Sequence, residues 1–282
     1  MNRRLVLTAD DFGLTASVND AVEAAHREGV LTSASLMVAA PAAADAVRRA
    51  RLLPALRVGL HLVVIDGLAV LAPAEIPDLL DRHGRFPSTQ LRLGLRYAFG
   101  RRALHQLAAE IRAQFAAFAA TGLRLDHADA HKHMHLHPVV GRLMIEIGRE
   151  FGLRAIRIPA EPPAILARCG TRVGLDARVL YRWTMLLRRR ARAAGLVSTD
   201  QCFGLAWSGH MTAERVLQLL AELPVGASEI YFHPATARHA DLLRLMPDYE
   251  HEAELATLLD PRVARALATE EIKTTSFSDL AD

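Results

Sequence analysis

Apolar residues come in short blocks of two kinds, and the two kinds alternate along the chain. Blocks of five to eight residues rich in branched apolar side chains occur at 4–8 (RLVLT), 33–38, 57–64 (RVGLHLVV), 123–130, 154–158, 229–233 and 273–277. They predict seven strands. Between them, apolar positions recurring every three or four residues predict helices over 17–28, 42–52, 104–121 and 139–151. Strands alternating with helices imply parallel β/α units. About seven strands in a chain of 282 residues fit a distorted or incomplete (β/α) barrel, with a doubly wound open sheet as the alternative. Two stretches break the rhythm. Residues 66–100 are punctuated by Pro and Gly and predict a loop excursion or small subdomain over one end. Residues 162–200 hold a basic helical insertion. With no repeat or low-complexity linker to divide it, the chain reads as a single domain over 1–282.

A hydrophobic fraction of 51% is enough for a substantial core. The apolar runs are too short for a transmembrane helix, and the N-terminal one is too short for a signal peptide, so a cytoplasmic location is expected. Cys169 and Cys202 are too sparse for a disulfide framework or a metal clip. A net charge of +3, without interleaved aromatics or a zinc-finger pattern, gives no reason to expect nucleic acid as a partner. Arginine nevertheless crowds 182–192 (RWTMLLRRRAR). Residues 181–196 could rest on an anionic membrane surface, peripheral at its inner face, or form an ordinary solvated helix.

Of 13 histidines, five fall in DHADAHKHMHLHP: His127, His131, His133, His135 and His137. With Asp129 they occupy odd positions, which extended backbone would point the same way. Residues two apart are about 6–7 Å apart along a strand, so one ion cannot take them all. One or two would be ligands, and the others would support them or touch substrate. Asp10 and Asp11 in LTADDFG also end a predicted strand. Adjacent carboxylates repel, and a cation beside one of them with a proton-accepting role for the other relieves this. The alternative for this pair is a helix N-cap. His61 ends the third strand, and together Asp, His and His make a donor set suited to Zn²⁺, Mg²⁺ or a similar divalent ion. His233 in EIYFHP ends another strand and could protonate a leaving group.

TADDFG with the downstream Asn19, GVLTSASLMV at 29–38, GLHL at 59–62, DAHKHMHLHP at 129–138 and FHP at 232–234 together resemble the YdjC-like carbohydrate deacetylase family, in that family's order. The segments 39–51 and 73–81 and the basic insertion after Pro162 are most similar to its hopanoid-biosynthesis-associated branch. The resemblance implies a barrel related to polysaccharide deacetylases. It implies one divalent cation held by Asp11, His61 and His131, with Asp10 as general base and His233 as general acid. Asp129, His133 and His135 would support the ligands or touch substrate, and His133 or His135 could exchange with His131. The implied substrate is an N-acetylated sugar, with N-acetylglucosaminyl hopanoid as the branch's version and a soluble chitooligosaccharide as the other. From the residues alone, a metal-dependent phosphoesterase and a non-catalytic sugar- or metal-binding module are the rivals.

Overall fold

A computed structural model describes residues 3–282. Among these residues seven strands, β1 (Arg3–Phe12), β2 (Ser33–Leu36), β3 (Arg57–Leu62), β4 (Leu125–Ala130), β5 (Gln201–Phe203), β6 (Gly226–Phe232) and β7 (Ile272–Thr274), pair in parallel. Their order is β4-β3-β2-β1-β6-β5, with β7 against β1. β1 is long enough to take β7 at Arg3–Leu5 and β2 at Thr8–Phe12. Helices α1 (Ala16–Glu28), α2 (Ala43–Arg51), α3 (Gln90–Phe99), α4 (Arg101–Ala120) and α5 (Pro138–Glu150) precede the insertion. That holds α6 (Pro163–Arg168) and α7 (Leu175–Ala193). α8 (Ala213–Glu222), α9 (Ala240–Leu245), α10 (His251–Leu259), α11 (Pro261–Thr269) and α12 (Phe277–Ala281) follow.

Alternation along β1 sorts the two sides of the sheet. Leu5, Leu7 and Ala9 join the large apolar core. Val6 packs instead with Ala155 and Phe277, on the side where Thr8 bonds Glu229 and Asp10 meets Arg157. The interior of the curled sheet is thus polar above an apolar floor.

The distorted β/α barrel is what forms, with three corrections to the strand list. Residues 154–158 do not make a regular strand. They run between β4 and β5 on single bridges, Ala128 to Ile156 and Ala155 to Val197. Arg157 N–H also bonds Ala128 C=O (3.1 Å), and Cys202 N–H bonds Ala160 C=O (3.1 Å). The short β5 had no readable signal, because three residues give too little period. Finally, the last strand stops at Thr274, and Phe277 opens α12. Its ring stacks on His127 with centroids 4.4 Å apart, and Ser278 N–H bonds Asp126 (2.8 Å), so α12 plugs the bottom of the barrel. The excursion at 66–100 is part helix, α3, and sends Ile76, Leu79, Phe86, Leu93 and Tyr97 into the main core.

Candidate active site

β1 delivers both aspartates through a local break in its own geometry. In a regular strand Asp10 and Asp11 would point to opposite faces. Here the pairing of β1 with β2 slips between Ala9 and Phe12, and Asp11 adopts a left-handed φ of 60°. Such a bulge re-aims a side chain, and for a non-glycine residue it stores strain of roughly 1–3 kcal/mol. Both carboxylates end up buried at the same end of the barrel. Asn19 holds the turn, accepting Gly13 N–H (2.8 Å) and donating to Ala42 C=O (3.0 Å) and Asp45 (2.9 Å). The N-cap reading of the Asp pair does not hold, because Thr15 caps α1.

Asp11, His61 and His131 converge. His61 Nε2 lies 3.4 Å from Asp11 Oδ1, His131 Nδ1 lies 3.2 Å from the same oxygen, and the two nitrogens are 3.4 Å apart. Donors about 2.0–2.2 Å from a shared cation in tetrahedral or octahedral geometry sit about 3.0–3.4 Å from one another. The triangle therefore fits a divalent ion, and these three side chains could hold one. Among the described residues both Asp11 oxygens are buried without a hydrogen-bond partner, as expected of a carboxylate whose partner is an ion. Behind them, Asp129 Oδ1 accepts His61 Nδ1–H at 2.8 Å, which fixes the tautomer that turns Nε2 to the triangle. β3 and β4 supply this pair in direct register.

The electrostatics also favour positive charge here. Burial alone would raise Asp11, but His131 and His61 outweigh it and hold the carboxyl well below the usual range. Burial likewise opposes a charge on His61, yet Asp129 and Asp11 lift that ring well above its ordinary value. A divalent cation held here would compete with that proton and release it on binding.

The histidine run requires a correction. β4 ends at Ala130, and His131–Leu136 form a tight 3₁₀ turn with Lys132 and His133 left-handed (φ 50° and 51°). The uniform extended strand is absent, and the side chains scatter. His127 lies deep in the barrel, bonded to Asp126 (2.9 Å) and Ser35 (3.0 Å). His133 Nε2 meets the Tyr231 hydroxyl at 2.9 Å, and burial with neighbouring His135 pushes its pKa well down. His135 is fully buried, pushed down to about 4 by that burial, and neither nitrogen has a partner. His137 is half-buried against Tyr97. Only His131 of the run joins the triangle.

The sequence reading missed Arg157. It is fully buried and grips Asp10 bidentately (2.6 and 2.8 Å), bonds Glu229 Oε1 through two nitrogens (2.9 and 2.8 Å) and contacts Asp129. Its signal was legible, since an arginine within the apolar stretch AIRI demands buried carboxylates. His233 ends β6 with its side chain 11% exposed, and burial pushes it down to about 4. Glu254 behind it also went unnoticed. Burial pushes this carboxyl up to about 7. A cleft beside His131 is walled by Leu14, Met37, Leu245, Asp66, Arg85 and Arg244. A second groove starts at His133 and runs between α3 and α7.

Known proteins place this architecture. The profile of the family described as YdjC-like protein matches residues 4–269. A carbohydrate deacetylase of Vibrio vulnificus is 38% identical over 280 residues, 98% of this chain and 96% of the relative. One from Brevibacillus brevis is 29% identical over 280 residues, covering 98% and 99%. Among solved structures, an Enterococcus faecalis protein described as a cellobiose-phosphate cleavage protein aligns over 100% of both chains with TM-score 0.78 and 23% identity. The lactam utilization protein of Thermus thermophilus aligns over 97% and 99% with TM-score 0.52 and 13% identity. These two structures speak to the fold alone.

Proposed function

The chain belongs to the YdjC-like family, and on that premise we propose that it is a carbohydrate deacetylase that cleaves the acetamide of an N-acetylated sugar with one divalent cation. The observation that carries this is the buried Asp11–His61–His131 triangle with the Arg157-held carboxylate of Asp10 beside it. Bound there, a divalent cation (Zn²⁺ or Mg²⁺ first) supplies Lewis-acid polarisation of the acetamide carbonyl and acidifies water. Asp10 takes a proton as water attacks the carbonyl carbon, and Arg157, which grips that carboxylate bidentately, keeps it aimed. When the C–N bond breaks, the amine nitrogen takes a proton from His233. Burial leaves His233 neutral at rest, so it acquires that proton within the cycle, and the one Asp10 has removed from water keeps the balance. Asp129 orients His61, while His133 and His135 wall the substrate side. Acetate release from N-acetylglucosamine oligomers tests the reading. Asp10→Asn should lower turnover about 10²–10⁴-fold with metal content intact. Phosphate release from sugar phosphates, with no acetate from any N-acetyl sugar, would replace the deacetylase by a phosphoesterase.

One observation favours a lipid-linked acceptor. α3 exposes Leu91, Leu95 and Phe99, and α7 exposes Leu175, Val179, Trp183 and Leu186, on either side of the groove that begins at His133. Arg178, Arg182, Arg189, Arg190 and Arg192 are exposed on the same α7. Apolar side chains edged by arginine suit an anionic bilayer, and an N-acetylglucosaminyl lipid of hopanoid type is the acceptor to try. Flotation with anionic vesicles should carry the protein up, and Phe99→Ser should abolish this. Equal activity on soluble and lipid-linked sugars, without vesicle binding, would leave the soluble sugar as substrate.

A further inference from the structure

His233 is held by a set of side chains that the reaction scheme leaves unused. Its backbone N–H donates to Glu254 Oε2, and its backbone carbonyl accepts from His251 Nδ1 at 2.6 Å. Because a carbonyl can only accept, that nitrogen of His251 carries the hydrogen. Glu254 Oε1 accepts Met211 N–H at 2.9 Å, which locks the carboxyl in place. Glu254 Oε2 then lies 3.8 Å from His233 Nδ1, an imidazole nitrogen that is buried and otherwise without a partner. His251 and Glu254 stand three residues apart at the start of α10, on one helix face. Just before them, Tyr249 packs edge-on against the His233 ring with centroids 4.9 Å apart. The Tyr249 hydroxyl is tied to Ser208 (2.7 Å), and its ring fills the space that a side chain at Gly209 would occupy, 2.2 Å from a Cβ there.

A helix start whose side chains seize both backbone polar groups of a residue on another element does more than cap a helix. We propose that Glu254 and His251 are positioning residues for His233. They fix its backbone from both sides and hold its ring with Nδ1 toward Glu254, which leaves Nε2 as the nitrogen that meets substrate. The carboxyl at 3.8 Å is close enough to accept Nδ1–H after a small rotation of the ring. It therefore favours one tautomer and supports the imidazolium when it forms. The turnover part of this inference rests on the deacetylase reading, but the geometric part does not.

The test compares the metal-loaded wild type with Glu254→Gln, His251→Asn and His251→Phe. Steady-state acetate release from N-acetylglucosamine oligomers is paired with ¹⁵N NMR of the His233 ring. Glu254→Gln is near-isosteric but loses the charge and one acceptor site. It should lower kcat at least about tenfold with KM within about twofold, the split expected when a proton donor is misplaced rather than binding lost. The His233 ring should shift from an Nδ1–H tautomer to a mixture. His251→Asn keeps a donor for the His233 carbonyl and should stay near wild type, whereas His251→Phe should behave like Glu254→Gln. Folded Glu254→Gln with wild-type kcat and unchanged ring signals would overturn the proposal. So would losses that merely track the folded fraction. Should Glu254→Gln fail to fold, the two His251 variants decide, and equal kcat in both would overturn it. If the wild type releases no acetate, the deacetylase reading fails, and the ring signals alone judge the positioning.

Discussion

Arg157 offers the sharpest test of how this barrel interior holds together. Its guanidinium is fully buried and shared by Asp10, Glu229 and Asp129, three carboxylates that are themselves buried. Replacing it with Met keeps much of the volume and removes the charge. Taking one partner from a buried ion pair costs about 3–5 kcal/mol, because the remaining charge is left uncompensated. With three carboxylates on one cation, the upper end of that range is expected. For a chain of this size about 1 kcal/mol moves Tm by about 2–4 °C, so the variant should melt roughly 10–20 °C lower. The loss should depend on pH. In the wild type burial disfavours the charge on Asp129, but Arg157 and His61 hold its carboxyl well below the usual range. Its stabilising contribution is therefore complete above the ordinary carboxylate pKa. In Arg157→Met the Asp129 carboxyl, deprived of that cation, rises in pKa and takes up a proton on folding, so the deficit should shrink as pH falls from about 8 to about 6. Arg157→Lys keeps the charge without the fork and should fall between. Urea unfolding in the presence of a chelator, at both pH values, separates this from metal binding. A Met variant within about 1 kcal/mol of wild type at the higher pH would refute the shared-cation account.

Three further outcomes follow. Asp129→Asn should weaken divalent-metal affinity about 10–100-fold by releasing His61, as read by calorimetry, and unchanged affinity would detach Asp129 from the site. Glu254 titrates near 7 in the folded protein, above its unfolded value, so it contributes stability at low pH that is lost as pH rises through about 7. Relative to wild type, Glu254→Gln should gain up to about 3 kcal/mol in urea midpoint analysis between about pH 5 and 8, and a pH-independent difference would contradict the burial argument. Gly59→Ala would place its Cβ 2.5 Å from the buried His127 ring. It should cost about 1–3 kcal/mol by overpacking, and a neutral result would mean the His127–Phe277 stack yields easily.

Much of this was legible in one dimension, for reasons visible in particular residues. The strands at 4–8, 33–38, 57–64, 123–130 and 229–233 announce themselves because buried parallel strands need unbroken apolar runs. Chemistry-bearing residues at their ends follow from the fold, which gathers strand C-termini at one face. Asp11, His61 and the histidine run thus stand out by residue type and place. The histidine run misled because its odd-numbered spacing suggested a strand. The left-handed turn at Lys132 and His133 breaks that period after Ala130, and no local signal in KHMH marks it.

Sequence by itself therefore determined the parallel β/α plan, the donor types and the strand ends that carry them, since periodicity and side-chain chemistry are local properties. Tertiary structure alone decided which histidine meets Asp11. It also decided that Arg157, arriving on an irregular stave, binds Asp10, and that Glu254 and His251 from a distant helix hold His233. Those partnerships join residues 18 to 147 positions apart or set one strained dihedral against another. Contacts of that kind exist only once the chain has closed on itself.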